Sequence, residues 1–317
     1  MSLIVKYYPH LHKNERFSEN LSMIAESGFE GILFPIVKSE GLSPRQSYEV
    51  HFYQINKMTR MAKEYGLTVG LIIECFHSDP LWKLNTFSAP VSFSGASYAP
   101  MDWYHPLCPN NPMAIERFSM IVNKAAKCVR ADFVYLDFLR FPFFWEKEQL
   151  DVQHRMPPYC YCPFCLGEFS SIVGEIIHTS SQIYDLIEEW LEWRNYIIVE
   201  RLISAKEKLQ NNFFVTVSFP PLANIDLAFT TGQTPSIFTD EGCYVSPILH
   251  HSIKNKKLNW VDDMLDQYKM DLKPSKIIPS LQVTSMKDLE TFKEWDDDFP
   301  FINLFNWMTL RDLIRVR

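Results

Sequence analysis

Eight short, β-rich apolar runs recur along this chain with helical stretches between them, and that alternation restricts the fold more than any other feature. The runs are Leu3–Tyr8, Gly31–Ile36, Thr68–Cys75, Phe133–Leu139, Phe213–Ser218, Tyr244–Leu249, Ile277–Val283 and Phe301–Phe305. The intervening segments repeat apolar residues at i, i+3 and i+4, the spacing of a helix with one buried face. From Ile183 to Leu209 this spacing places Leu186, Ile187, Trp190, Leu191, Ile197, Ile198 and Leu202 on one face. Another helix opens at Asn110-Asn111-Pro112, an asparagine cap followed by proline in the first turn, and continues through Ile115, Phe118, Ile121, Val122 and Ala125. Eight strand–helix units in 317 residues predict an α/β chain closed as one (β/α)8 TIM barrel over residues 1–317, in preference to two open sheets. There is no internal repeat and no linker to divide it. The strands are fairly evenly spaced except after the third and fourth. The extra length falls in two insertions, 77–111 and 142–182, both following a strand and therefore both on the C-terminal face, where barrels keep their chemistry. Strands three and four are neighbours, so the insertions should touch.

Composition removes several classes of function. Thirty-one Lys and Arg against 38 Asp and Glu give a net charge of −7, without a basic cluster, so a nucleic-acid partner is not expected. No apolar run approaches the roughly 18 residues of a membrane span. Aromatic residues reach 15%, well above what a disordered chain carries. The opening Met1-Ser2-Leu3-Ile4-Val5-Lys6 lacks the basic segment and apolar core of a signal peptide, so the expected compartment is the cytoplasm. A homo-oligomer remains open.

Seven cysteines are present, an odd number in a chain too large to need disulfides, which favours metal ligation or free thiols. Cys160-Tyr161-Cys162-Pro163-Phe164-Cys165 brings three thiols within six residues, a spacing that lets them bend around one ion. A tetrahedral zinc site needs a fourth ligand, and Cys108 ends the preceding insertion, where barrel geometry brings it near. Four thiolates would close the shell and make the zinc structural. A disulfide or a set of buried thiols is the alternative. Cys-x-Cys-x-x-Cys is not a common iron–sulfur spacing. Cys75, Cys128 and Cys243 fall in strand or helix patterns and read as core or rim residues.

The order Leu107-Cys108-Pro109-Asn110-Asn111-Pro112, a helix, a strand ending in Asp137, then Cys160-x-Cys-x-x-Cys and Phe169 resembles the zinc-bearing stretch of the glycoside hydrolase family 42 β-galactosidases. It is also similar to uncharacterised glycoside-hydrolase-like barrels that carry Cys-Pro-Asn-Asn-Pro and Leu-Asp-Tyr-Ile-Arg-Tyr-Pro. The latter motif is matched here by Leu136-Asp137-Phe138-Leu139-Arg140-Phe141-Pro142. The resemblance runs from Trp103 to Phe169, with a fainter likeness in the last three strands. It implies a glycoside-hydrolase-type barrel acting on carbohydrate, with Cys108, Cys160, Cys162 and Cys165 binding zinc. Two departures are visible. The family 42 enzymes end strand four in Asn-Glu, where this chain has Phe138-Leu139 after Asp137, and they carry a glutamate at strand seven, where this chain has Ser280-Leu281-Gln282.

Cleaving a glycosidic bond usually takes two carboxyl groups, one to donate a proton and one to attack or to activate water. A carboxylate ending a buried strand is costly unless a site uses it. Asp137 closes the run Phe133-Val134-Tyr135-Leu136, and Arg140 could pair with it or grip substrate hydroxyls. Glu74 ends Leu71-Ile72-Ile73-Glu74 one strand over and is the expected second carboxyl. For both, the alternative is a structural salt bridge. Asp240-Glu241 precedes a strand and reads as a solvated turn. Trp82, Trp103, Tyr104 and Trp145 fall in the insertions and Trp307 follows strand eight, a supply of flat rings for stacking on sugars, or simply for packing the loops. Arg140, Trp103, Trp145, His250 (with His251), Asn306 and Trp307 are the expected substrate-binding residues.

Two rivals remain. His10-Leu11-His12 after strand one resembles the opening signature of the amidohydrolase metalloenzymes. Strands five and eight end in Ser218-Phe219-Pro220-Pro221 and Asn306-Trp307, however, without the ligands that family needs. A barrel that binds glycan without cleaving it would suit the missing glutamate and Gln282.

Overall fold

The computed structural model describes residues 3–9, 16–35, 44–84, 88–148, 156–209, 213–295 and 299–315. Strands β1 (Leu3–Lys6), β2 (Gly31–Pro35), β3 (Thr68–Glu74), β4 (Phe133–Asp137), β5 (Phe214–Phe219), β6 (Tyr244–Leu249), β7 (Ser280–Gln282) and β8 (Ile302–Phe305) pair in chain order. All eight are parallel, and β8 returns to β1 to close a TIM barrel. Around it run helices α1 (Phe17–Glu26), α2 (Pro44–Glu64), α3 (Asp79–Trp82), α4 (Pro112–Cys128), α5 (Pro163–Val173), α6 (Ile187–Leu209), α7 (Asn224–Thr231), α8 (Pro235–Asp240), α9 (Asn259–Asp271), α10 (Met286–Glu294) and α11 (Trp307–Arg315). No helix among the described residues is long and apolar enough to cross a membrane.

The expected elements are present with shifted ends. The seventh run was expected to begin at Ile277, yet β7 begins at Ser280. Pro279 has no N–H to give a neighbouring strand, so regular pairing starts after it, although the Ile278 amide already bonds the Val245 carbonyl. The helix expected from Ile183 opens instead as a 3₁₀ segment, Ser180–Leu186, and becomes α-helical at Ile187. Asn111 caps α4 as its sequence suggests, accepting from the amides of Met113 and Ala114.

Alternation along each strand sorts side chains into two compartments. Leu3, Val5, Ile32, Phe34, Val69, Leu71, Ile73, Val134 and Leu136 face the helices and join the main core. Ile4, Leu33, Ile72, Phe133 and Tyr135 point inward and form a separate floor within the barrel. Gly70 leaves space for that floor: a Cβ there would lie 2.3 Å from Phe133 Cζ and 2.5 Å from Leu33 Cδ2. Above the floor the inward positions become polar. Lys6, Thr216, Ser218, Ser246, Ser280 and Asn303 are all buried there, and the same inward parity carries Glu74 and Asp137 to the mouth.

Candidate active site and metal centre

Glu74 and Asp137 end adjacent strands and are Cα partners in the β3–β4 register. One Asp137 carboxylate oxygen accepts from Ser218 Oγ at 2.6 Å and from the Phe138 amide at 3.0 Å. Phe138 reaches this position with φ of 55°, a backbone region that aromatic residues seldom adopt and that clusters at functional sites. Below lies a buried cation. Lys6 Nζ is 3.3 Å from Tyr135 Oη and 4.4 Å from the centre of that ring, and Tyr135 Oη donates to Ser246 Oγ at 3.0 Å. Burial brings the Lys6 ammonium down to about 8, with the Asp137 charge opposing the fall.

Glu74 Oε2 lies 3.5 Å from His77 Nδ1. The His77 ring stacks on Phe138 (4.9 Å) and on Tyr104 (5.9 Å), and its Nε2 bonds the Trp103 carbonyl at 3.0 Å. Trp103 itself remains 51% exposed, edge-on to Phe138 and Phe144. The first insertion thus brings an aromatic cluster beside Glu74, with Phe138 joining it from the end of β4.

The segment after β4 packs against these rings and reaches across to β6. Arg140 is buried and donates to the Phe143 carbonyl, with its guanidinium over the rings of Phe138 and Tyr104. Trp145 is covered, edge-on to His250, and its carbonyl accepts from Lys254. His250 is buried, stacked on Phe305 at 4.5 Å and 3.3 Å from Ser280 Oγ. Burial pushes it well below the usual imidazole range, reinforced by the positive charge of Lys6. Glu146, on the same segment, is raised by burial to about 7, with Arg140 drawing it back and the Asp137 charge adding to the rise.

Several expected residues have other roles. Trp307 is fully buried in the helix layer, where its Nε1 donates to Asn20 Oδ1 at 2.6 Å and its ring meets Phe29 edge-on. The reason is that α11 starts at Trp307 itself, so no loop carries the ring over the mouth. Asn306 accepts from the Thr309 amide at the start of that helix. Trp145 and Arg140 border the mouth but are covered. Glu241 pairs with Lys206 at 3.4 Å beside β6, in the turn expected for it. His10 and His12 lie outside the described residues. Lys6, His77 and Glu146 escaped the sequence reading. For Lys6 the available signal was parity, since it faces inward two residues after Ile4. His77 follows the strand-ending Glu74 by three residues. Glu146 has no local signal, because its burial and the charges around it arise only in the folded chain.

The two insertions do meet: Ser92 bridges to Tyr159, the Tyr161 amide bonds the Val91 carbonyl, and Ser180 Oγ donates to the Phe93 carbonyl. At their junction Cys108, Cys160, Cys162 and Cys165 are all buried, with their sulfur atoms within 4.8 Å of one another. Cys108 Sγ is 3.3 Å from Cys165 Sγ, and Cys162 Sγ is 3.7 Å from each of them. A tetrahedral ion with metal–sulfur bonds of about 2.3 Å needs sulfur–sulfur edges of about 3.8 Å, so the donor set fits a metal. The amides of Val91 and Asn110 point at Cys160 and Cys108 sulfurs, at 3.4 Å each, and Cys162 is the N-cap of α5. Neighbouring thiols hold Cys162 low by hydrogen bonding to it, whereas burial pushes Cys108 and Cys165 well up. A dication would allow all four to ionise together.

No protein-family profile and no curated protein matches this chain. Solved structures do. The glycoside hydrolase domain of PgaB (BpsB) from Bordetella bronchiseptica superposes with a TM-score of 0.72 at 10% identity, covering 96% of this chain and 94% of that one. The catalytic domain of β-amylase from Paenibacillus polymyxa gives 0.65 at 13% identity, with 98% and 93% covered. The β-galactosidase of Halorubrum lacusprofundi gives 0.64 at 11% identity, covering 96% of this chain and about half (52%) of that one. At these identities the likeness is one of fold: the chain shares the barrel of these glycosidases.

Proposed function

We propose that this protein is a glycoside hydrolase in which Asp137 and Glu74 are the carboxyl pair. The observation that carries the reading is their opposed register at the ends of β3 and β4, in unlike surroundings. Asp137 receives two hydrogen bonds, while Glu74 has an imidazole beside it. Two carboxyl groups held in different environments are what acid and base roles require. Glu74 would protonate the departing sugar oxygen, and Asp137 would meet the sugar carbon or the water that attacks it. The half-exposed Trp103 offers a face for a pyranose ring. The fold shared with proteins named for glycoside hydrolase, β-amylase and β-galactosidase activity supports carbohydrate as the substrate class.

Zinc is the metal that four thiolates suit, and a closed sulfur shell leaves it no place in the chemistry. It would tie the insertions 77–111 and 142–182 together beside the mouth of a single-domain barrel over residues 1–317. The reducing cytoplasm is the compartment that keeps those thiols available.

The test is hydrolysis of a panel of 4-nitrophenyl glycosides and oligosaccharides. Asp137→Asn and Glu74→Gln should each lower turnover by at least about 100-fold without loss of melting temperature or metal. Glycan affinity with no turnover on any substrate would instead favour the non-catalytic barrel, in which Gln282 stands where family 42 enzymes carry a glutamate.

A further inference from the structure

Both ring nitrogens of His77 face oxygen atoms, and the ring is only 5% exposed. Nε2 lies 3.0 Å from the Trp103 carbonyl oxygen, and Nδ1 lies 3.5 Å from Glu74 Oε2. A carbonyl oxygen only accepts, so Nε2 carries a hydrogen. In a neutral ring the lone pair of Nδ1 would then confront a carboxylate oxygen, and in a buried site that repulsion is strong. A hydrogen between them removes it. The flanking rings favour the same state, because Phe138 and Tyr104 lie nearly parallel to the imidazole, at 25° and 24°, and aromatic faces attract a cation.

We propose that Glu74 and His77 hold one proton in common, which makes His77 the positioning residue that keeps Glu74 supplied with a proton to give. The role rests on the glycosidase reading, whereas the shared proton does not. In the bond-breaking step the proton moves from the pair to the departing oxygen, which also takes the electron pair of the broken C–O bond, while the sugar carbon gains a bond to Asp137 or to a water whose proton Asp137 takes. The pair is left one proton short, facing lone pair to lone pair, and the water that completes hydrolysis returns a proton to it. Other charged groups surround the dyad. Arg117 donates to the carbonyls of Glu74 and Cys75, Asp137 ends the neighbouring strand, and Arg140 lies over the Phe138 and Tyr104 rings. His105 packs against His77 at 6.2 Å and contacts Asp79 at 3.6 Å.

Nitrogen-15 spectra of histidine-labelled protein test the proposal without any substrate. Between about pH 6 and 8, where an ordinary histidine titrates, His77 Nδ1 should be away from the bare lone-pair position, and Glu74→Gln should return it toward that of a neutral ring. A bare Nδ1 signal unmoved by Glu74→Gln overturns the proposal. In the kinetic arm, His77→Phe keeps the stacking and removes the proton. The expected result is a kcat lower by about 10–100-fold at neutral pH, with KM little changed and the alkaline limb of the rate profile at lower pH. His77→Gln should recover part of the loss. A fall in kcat with an unmoved limb would mark His77 as merely structural. A shared proton in a protein with no glycosidase turnover would defeat the glycosidase reading alone.

Discussion

Lys6→Met should flatten the dependence of stability on pH. The ammonium is buried inside the barrel, and burial lowers it from 10.5 to about 8. The unfolded chain therefore binds more protons than the folded one between those two values, and the stability contributed at this position rises with pH across that window. Below about 8 both states carry the charge, and the folded protein bears the whole penalty. Above 10.5 both are neutral and the penalty is gone. At about 1.36 kcal/mol per pH unit, the lowering corresponds to about 3 kcal/mol. Methionine has nearly the length of the lysine stem and no charge, so it removes that contribution and leaves the other titrating groups in place. Urea unfolding of both proteins at intervals from about pH 7 to 10.5 reads the difference directly. Wild type should gain on Lys6→Met by about 3 kcal/mol across the window, with the variant the more stable of the two at neutral pH. Parallel curves would refute the reasoning, because they would mean that the ammonium is as well solvated in the barrel as in the unfolded chain.

The four-sulfur site predicts that Cys162→Ser loses the metal ion and lowers the melting temperature, as followed by elemental analysis and calorimetry. Wild-type protein purified without any metal would refute the site. Gly70→Ala should destabilise the protein by about 1–3 kcal/mol, the usual penalty of overpacking, because the added carbon would meet the Phe133 and Leu33 side chains. The urea midpoint measures this, and Phe133→Leu added to Gly70→Ala should recover part of it; an unchanged midpoint in Gly70→Ala would refute the packing argument.

The barrel was legible because burial on both faces leaves strands with long apolar runs, and eight such runs between helices admit few closures. The ends were less so. Pro279 delays β7 for a reason visible in its chemistry, whereas the 3₁₀ opening of the helix at Ser180–Leu186 lies against the first insertion, with Ser180 and Tyr184 both on Phe93, contacts that periodicity does not reveal. Glu74 and Asp137 stood out because each ends an apolar run with a charge. Lys6 lies inside the run Leu3–Tyr8, where alternation puts it on the same face as Ile4, but closure of the barrel is what makes that face the interior. Trp307 was misplaced because chain position after strand eight says nothing about whether a loop or a helix follows. Glu146 and His77 take their character from neighbours distant in sequence, such as Lys254 and Trp103.

The sulfur cluster also divides the labour of holding the mouth. The two insertions come together where Cys108 meets Cys160, Cys162 and Cys165, ahead of α4 and at the start of α5 and away from the strands themselves. The cluster belongs to the outer core between barrel and helices, apart from the floor inside the barrel. Side chains between the cluster and the strand ends can therefore be exchanged while the floor inside the barrel keeps its packing, an arrangement in which the mouth can change without endangering the fold.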